Sequence, residues 1–213
     1  MSTSRAYHHG NLRAALLEAT RALLAEVGVE GLNLREVSRR TGVSHAAAYN
    51  HFQDKASLVR AVVDAAFERL AAEMRRARSS SHDPFEALRR IGVAYVRFAY
   101  RNPAEFQIMF RPELYAVPDS EASPNRDVGH QLLVETIEDC QKAGVIARGP
   151  VEPLVLAAWS TVHGLSSLIV DGPDRSLASS VAVAETLARR CLDALEHGLR
   201  KTTRRTCLRR IGA

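Results

Sequence analysis

Residues 34–52 read Leu-Arg-Glu-Val-Ser-Arg-Arg-Thr-Gly-Val-Ser-His-Ala-Ala-Ala-Tyr-Asn-His-Phe, and this stretch decides the fold. A short helix is predicted from Leu34 to Arg40, with Asn33 as its N-cap. Thr41-Gly42-Val43 is a tight break, and Gly42 tolerates the positive φ of a sharp turn. A second short helix is predicted from His45 to His51, capped by Ser44. Two short helices joined by a glycine-containing turn form a helix-turn-helix. Leu34, Val37 and Val43 are placed to face a small core, and Ser38 is small where the helices approach. Ala46, Ala47 and Ala48 keep the second helix slim enough for a major groove about 12 Å wide.

Outward from this motif nearly every segment reads as helix, with Ala, Leu, Arg and Glu dominant and no alternating β-branched runs. Leu12, Leu16, Ala19, Leu23 and Val27 recur at helical spacing, and Gly28 offers a stop. Asp54 is placed to cap a long helix from Lys55 to about Arg78. Asp83-Pro84-Phe85-Glu86 and Asn102-Pro103-Ala104-Glu105 each combine a cap, a first-turn proline and a glutamate. They predict helices over 84–101 and 103–110. Ser123-Pro124 opens a further helix that stops near Gly144. Glu152-Pro153 opens an apolar one ending at Asp171-Gly172-Pro173. Ser176 caps the last helix and Gly198 ends it. The fold class is all-α, about nine helices: an N-terminal three-helix helix-turn-helix domain and a C-terminal helical ligand-binding and dimerisation domain. The expected divisions are 1–54, 55–199 and a basic, disordered tail over 200–213.

The chain has 213 residues, 46% of them hydrophobic and 25% charged, an ordinary balance for a soluble protein with a packed core. Its net charge is +5, but Arg200, Lys201, Arg204, Arg205, Arg209 and Arg210 alone contribute +6, leaving −1 for residues 1–199. Such a tail adds sequence-independent attraction to phosphate. Cys140, Cys191 and Cys207 are odd in number and widely spaced, which suggests neither a disulfide framework nor a metal site and fits the cytoplasm. The N-terminus lacks the apolar run of a signal peptide. Pro153 to Val170 carries no Asp, Glu, Lys or Arg. It lies at the short limit for a membrane span and is expected to be buried within protein instead. Eight histidines make no HExxH or zinc spacing, and no GxSxG, P-loop or dinucleotide fingerprint occurs. No enzymatic activity, cofactor or metal is expected.

Residues 31–59, with Tyr49-Asn50-His51-Phe52 followed by Asp54-Lys55 and Leu58, resemble the TetR family of bacterial regulators. Tyr7-His8-His9-Gly10-Asn11-Leu12 is similar to one branch of it. Ser38 stands where the family usually has alanine. The resemblance implies that Ser44, His45, Ala46 and Ala47 lie nearest the base edges of operator DNA. It implies that Tyr49, His51 and Lys55 contact phosphates and that Arg35 meets the backbone or minor groove. Alanine offers only a thymine-methyl or van der Waals contact, so base reading falls chiefly to Ser44 and His45.

One recognition helix reads few base pairs, so a homodimer on two half-sites is expected. Leu177, Val181, Ala184, Ala188, Cys191 and Leu195 follow 4-3-4-3-4 spacing, an apolar seam for helix packing. Two helices from each subunit would form a four-helix bundle, as the resemblance also implies. Trp159, His163 and Gly164 resemble the Trp-His-Gly pattern of one branch of the family. Tyr95, Phe98, Phe106, Met109, Phe110, Trp159 and His163 are the candidates for a largely apolar pocket that binds a small-molecule effector. The reading is thus a repressor that grips double-stranded operator DNA and releases it when a partly apolar effector binds.

Overall fold

A computed structural model describes residues 9–115, 127–172 and 177–199. The expectations at Tyr7-His8, Ser123-Pro124, Ser176, Cys207 and the basic tail lie outside the described residues. Nine α-helices are present among the described residues, with a short 3₁₀ turn at Pro112–Leu114 and no strand. They are α1 (His9–Gly31), α2 (Leu34–Thr41), α3 (His45–Tyr49), α4 (Lys55–Ser79), α5 (Pro84–Arg101), α6 (Pro103–Met109), α7 (Val128–Lys142), α8 (Glu152–Asp171) and α9 (Val181–Leu199).

The starts of most helices are set by side chains that satisfy free backbone N–H groups. Asn33 Oδ1 accepts from Glu36 N at 2.9 Å, Ser44 Oγ from Ala47 N at 3.1 Å and Asp83 Oδ1 from Glu86 N at 2.7 Å. Asp54 forms a reciprocal capping box with Ser57. Gly28 (φ 69°, ψ 178°) breaks the helical backbone where a stop was expected, and a short second helical piece follows to Gly31. One local expectation is corrected. Asn102 does not cap α6, because its side-chain amide donates to Phe98 O at the end of α5. At the start of α9 the Ser180 hydroxyl accepts from Val183 N.

The central helix is α5, which packs against α4, α7, α8 and α9. Gly92 permits this: a Cβ there would sit 2.8 Å from Leu192 Cδ1 on α9 and 3.1 Å from Val162 Cγ1 on α8. One apolar core runs without interruption from Leu16, Val37 and Phe52 in the N-terminal helices, along Leu58, Val62 and Phe67 of α4, to Val96, Phe98 and Met109. The helix-turn-helix therefore shares its packing with the C-terminal half through α4. The α8 helix is long and apolar enough to cross a membrane by length and composition. Here Val155, Ala158, Val162 and Leu165 are buried, and α8 packs on α5, α7 and α9.

A charged contact crosses the same junction. Glu105, on α6, is 5% exposed. Its Oε1 accepts from Arg21 Nε of α1 at 2.9 Å, and its Oε2 accepts from Arg69 of α4. The Arg69 guanidinium also lies 5.9 Å from the Phe98 ring centroid, a cation–π contact. A buried carboxylate without partners is strongly unfavourable, so this one carboxylate fixes three helices relative to one another.

Glu105→Ala removes the partner of two half-buried arginines. Breaking a fully buried pair costs about 3–5 kcal/mol. Both guanidiniums reach solvent here, so a loss of about 2–3 kcal/mol is expected, a fall in Tm of roughly 4–12 °C. Thermal unfolding of this variant with a Tm unchanged within a degree would show that the contact holds nothing together.

Candidate nucleic-acid interface and effector cavity

The α2–α3 motif is anchored from beneath and open above. Leu34, Val37, Ala48 and Phe52 are buried, and Ser38 is buried with its hydroxyl donating to Leu34 O at 2.7 Å. Gly42 adopts φ 69°, and its N–H reaches the carbonyls of Ser38 and Arg39 to close α2. Arg40 joins Glu26 of α1 at 2.6 Å and Glu36 of its own helix. Arg39 and Arg40 together hold the Glu36 carboxyl down to about 2.

Above this base, Ser44, His45, Ala46, His51, Lys55 and Arg35 are exposed, Ala47 is half-buried and Tyr49 is 45% exposed. The His45 and Tyr49 rings meet edge-on at 4.7 Å. The helix ends at Tyr49, two residues before the expected His51, and Asn50 and His51 form a turn. Lys55 Nζ donates to Glu30 O near the end of α1 at 3.1 Å. A phosphate contact from Lys55 would therefore replace an existing hydrogen bond.

Between α4, α5, α7 and α8 lies a cavity of about 280 Å³. Tyr95, Phe110 and Trp159 line it, alongside residues that the sequence did not single out, among them Phe67, Met74 and Leu133. Asp127 and His130 at the start of α7 also border it and are exposed. The other expected residues take different places. Phe106 and His163 form an aromatic layer around Phe110, with ring centroids 5.2 and 4.6 Å from it. Met109 is fully buried in the core. Phe98 is also buried, beneath Arg69, and does not line the cavity. All four stood out by residue type, which does not say which neighbour each side chain will meet.

Two neutral groups bond at the edge of the cavity. The Tyr95 hydroxyl and His163 Nδ1 are 2.8 Å apart. Burial raises the Tyr95 pKa well above the ordinary phenol value and lowers that of His163 below 6.5. The phenol therefore keeps its proton and the imidazole is neutral at neutral pH.

The expected seam on α9 is corrected. Ala184 and Ala188 are wholly buried, and Cys191 and Leu195 pack half-buried on the chain's own core. Their partner is α5, within the same chain. Leu177 is at the exposed margin and Val181 is half-buried. Other exposed apolar side chains lie off this seam, among them Leu156 (58%), Leu168 (55%) and Trp159 (39%) on α8 and Val183 (37%) on α9. Between the two leucines, exposed Ser160 and Gly164, with nothing near its Cβ position, continue the four-residue spacing along the outer side of α8.

Comparison with known proteins gives two adjoining family matches. Residues 16–62 match the family described as bacterial regulatory proteins, tetR family, and residues 88–195 match the tetracyclin repressor-like C-terminal domain. The HTH-type transcriptional repressor KstR of Mycolicibacterium smegmatis is 29% identical over 118 residues, 55% of this chain and 56% of its own length. The chain thus spans little more than half the length of that curated relative. A protein of unknown function from Rhodococcus sp. RHA1 superposes with a TM-score of 0.79 at 29% identity, over 93% of this chain and 100% of its own. The TetR family transcriptional regulator PfmR from Thermus thermophilus gives a TM-score of 0.65 at 27% identity, over 87% and 99%.

The depressed His163 pKa has a pH consequence of defined sign. An unfolded chain binds the proton near 6.5, whereas the folded chain binds it only at lower pH. The contribution is complete above 6.5 and is lost as pH falls through the folded value. Unfolding free energy measured by denaturant titration should therefore decline below pH 6.5, less steeply in His163→Gln. An NMR titration that placed His163 above 6.5 would contradict this.

Proposed function

Since the chain belongs to the TetR family of bacterial regulators, we propose that it is a sequence-specific DNA-binding transcriptional regulator, a repressor released from its operator by a small-molecule effector. The carrying observation is the exposed ridge of α3. It projects from a helix-turn-helix whose underside is anchored by Val37, Ala48 and Phe52. Ser44 and His45 would read base edges, with Ala46 and Ala47 against thymine methyls. Tyr49, His51, Lys55 and Arg35 would take phosphates or backbone. The matched relatives named as regulators support this reading and a non-enzymatic role.

We divide the chain into a DNA-binding unit over 1–54, a sensing and dimerising unit over 55–199 and a basic tail. The working state is a cytoplasmic homodimer, because two half-sites must be held at about one helical turn or a multiple of it. The outer sides of α8 and α9, with Leu156, Ser160, Gly164, Leu168 and Val183, provide the mating surface. An effector in the cavity would bear on Phe110, which follows α6. From there, displacement passes through Glu105 to Arg21 on α1 and Arg69 on α4. A near-complete switch, from about 1:99 to 99:1, requires the effector to distinguish the two arrangements by about 5.5 kcal/mol.

Genomic footprinting gives the operator, and binding to it is then measured against salt. Tyr49→Ala and Lys55→Ala should each weaken binding across operator variants alike and reduce the log–log salt slope by about 1. His45→Ala should instead flatten the preference among operator variants; unchanged relative affinities would remove it from base reading. Leu156→Glu with Leu168→Glu should yield monomers by sedimentation, whereas a dimer that survived both changes would place the interface elsewhere.

A further inference from the structure

We propose that the cavity selects an uncharged, mostly apolar alcohol of about ten carbons, whose hydroxyl is held by Tyr95, and that it rejects carboxylates and ammonium ions. The inference rests on the reading of this cavity as the effector site. Size comes first. An apolar cavity of roughly 150 Å³ accepts benzene, so about 280 Å³ suits a compact two-ring molecule or a ten-carbon chain. The walls are apolar, with Phe67, Met74, Ile91 and Leu133 among them.

Charge comes second. Among the described residues lining the cavity there is no lysine or arginine. A ligand carboxylate would lose its hydration with no lysine or arginine to replace it, and the exposed imidazole of His130 at the border leaves any pairing in high dielectric. Asp127 at the border adds repulsion. An ammonium group gains little from Asp127, which is exposed and leaves it in high dielectric.

The hydroxyl preference comes third. Tyr95 lines the cavity and its hydroxyl lies 2.8 Å from His163 Nδ1, the imidazole tautomer deciding which of the two donates. A hydroxyl oxygen has two acceptor lone pairs, so in either tautomer at least one remains. That remaining acceptor suits a ligand O–H. A ligand that can only accept gains nothing from it.

The chain has a single tryptophan, and Trp159 borders the cavity, so its emission reports on binding directly. The probes are 1-decanol, decanoate and decylammonium at neutral pH, titrated into the full-length protein without DNA. The alcohol should shift Trp159 emission saturably and bind at least tenfold more tightly than either ion. Tyr95→Phe should weaken the alcohol by about two- to tenfold, the range of one hydrogen bond, and leave the ions unaffected. Ala71→Phe, which fills the cavity, should abolish the response. Equal or tighter binding of either ion, no response to any probe, or undiminished alcohol binding in both variants would overturn the proposal. The regulator reading is judged in a separate arm, operator affinity against salt without ligand, so either idea can fail while the other stands.

Discussion

The structure depends on one buried carboxylate with two cationic partners. Glu105 sits where α1, α4 and α6 meet, and its charge is acceptable there only while Arg21 and Arg69 remain in reach. Electrostatics in a partly buried junction behaves less like adhesive than like a registration pin. The net stabilisation of a buried pair is small, but the alternatives that break it are costly. Each of the three helices can shift only if the others follow. This makes the junction a discrete element with few allowed arrangements, which is what a two-state regulator requires.

The apolar packing around that pin has the same character. The core is continuous from Leu16 to Met109 through α4, so the two halves of the chain do not meet across a wet, adjustable interface. Close-packed interiors transmit displacement instead of absorbing it. Phe110 touches both the cavity and the aromatic layer of Phe106 and His163. It lies five residues beyond Glu105. Occupation of the cavity and the position of α1 are therefore connected through one short helix.

Local chemistry was the most legible part of the sequence. Asn33, Ser44, Asp54 and Asp83 cap the helices they were expected to cap, because a cap requires only its own next three residues. Where two neighbouring helices compete for one side chain, the local rule fails: Asn102 turns back to α5. The cavity was less legible. Tyr95, Phe110 and Trp159 stood out as large residues, whereas Phe67, Met74 and Leu133 carry the ordinary pattern of a core face. The α9 seam shows the limit most clearly. Its 4-3-4-3-4 spacing identifies an apolar face, yet spacing holds no information about whether α5 of the same chain or a second copy will cover it.

With Ala184 and Ala188 covered by their own chain, the proposed pairing falls mainly to α8. A helix without a charge from Pro153 to Val170 cannot leave two sides in water without consequence, and only one is satisfied within the chain. The proposed recognition surface makes a matching demand. The α3 helix spans five residues, three of them alanine, and such a surface offers few hydrogen bonds to base edges. Each good bidentate base contact supplies about 1–3 kcal/mol of discrimination. A single copy with so few contacts would distinguish its site poorly from the rest of a genome. Two copies held at fixed spacing apply each contact twice and add the spacing itself as a criterion. In the proposed dimer, the slenderness of α3 and the bare outer face of α8 belong to one arrangement, in which selectivity would come from geometry between subunits more than from contacts within one.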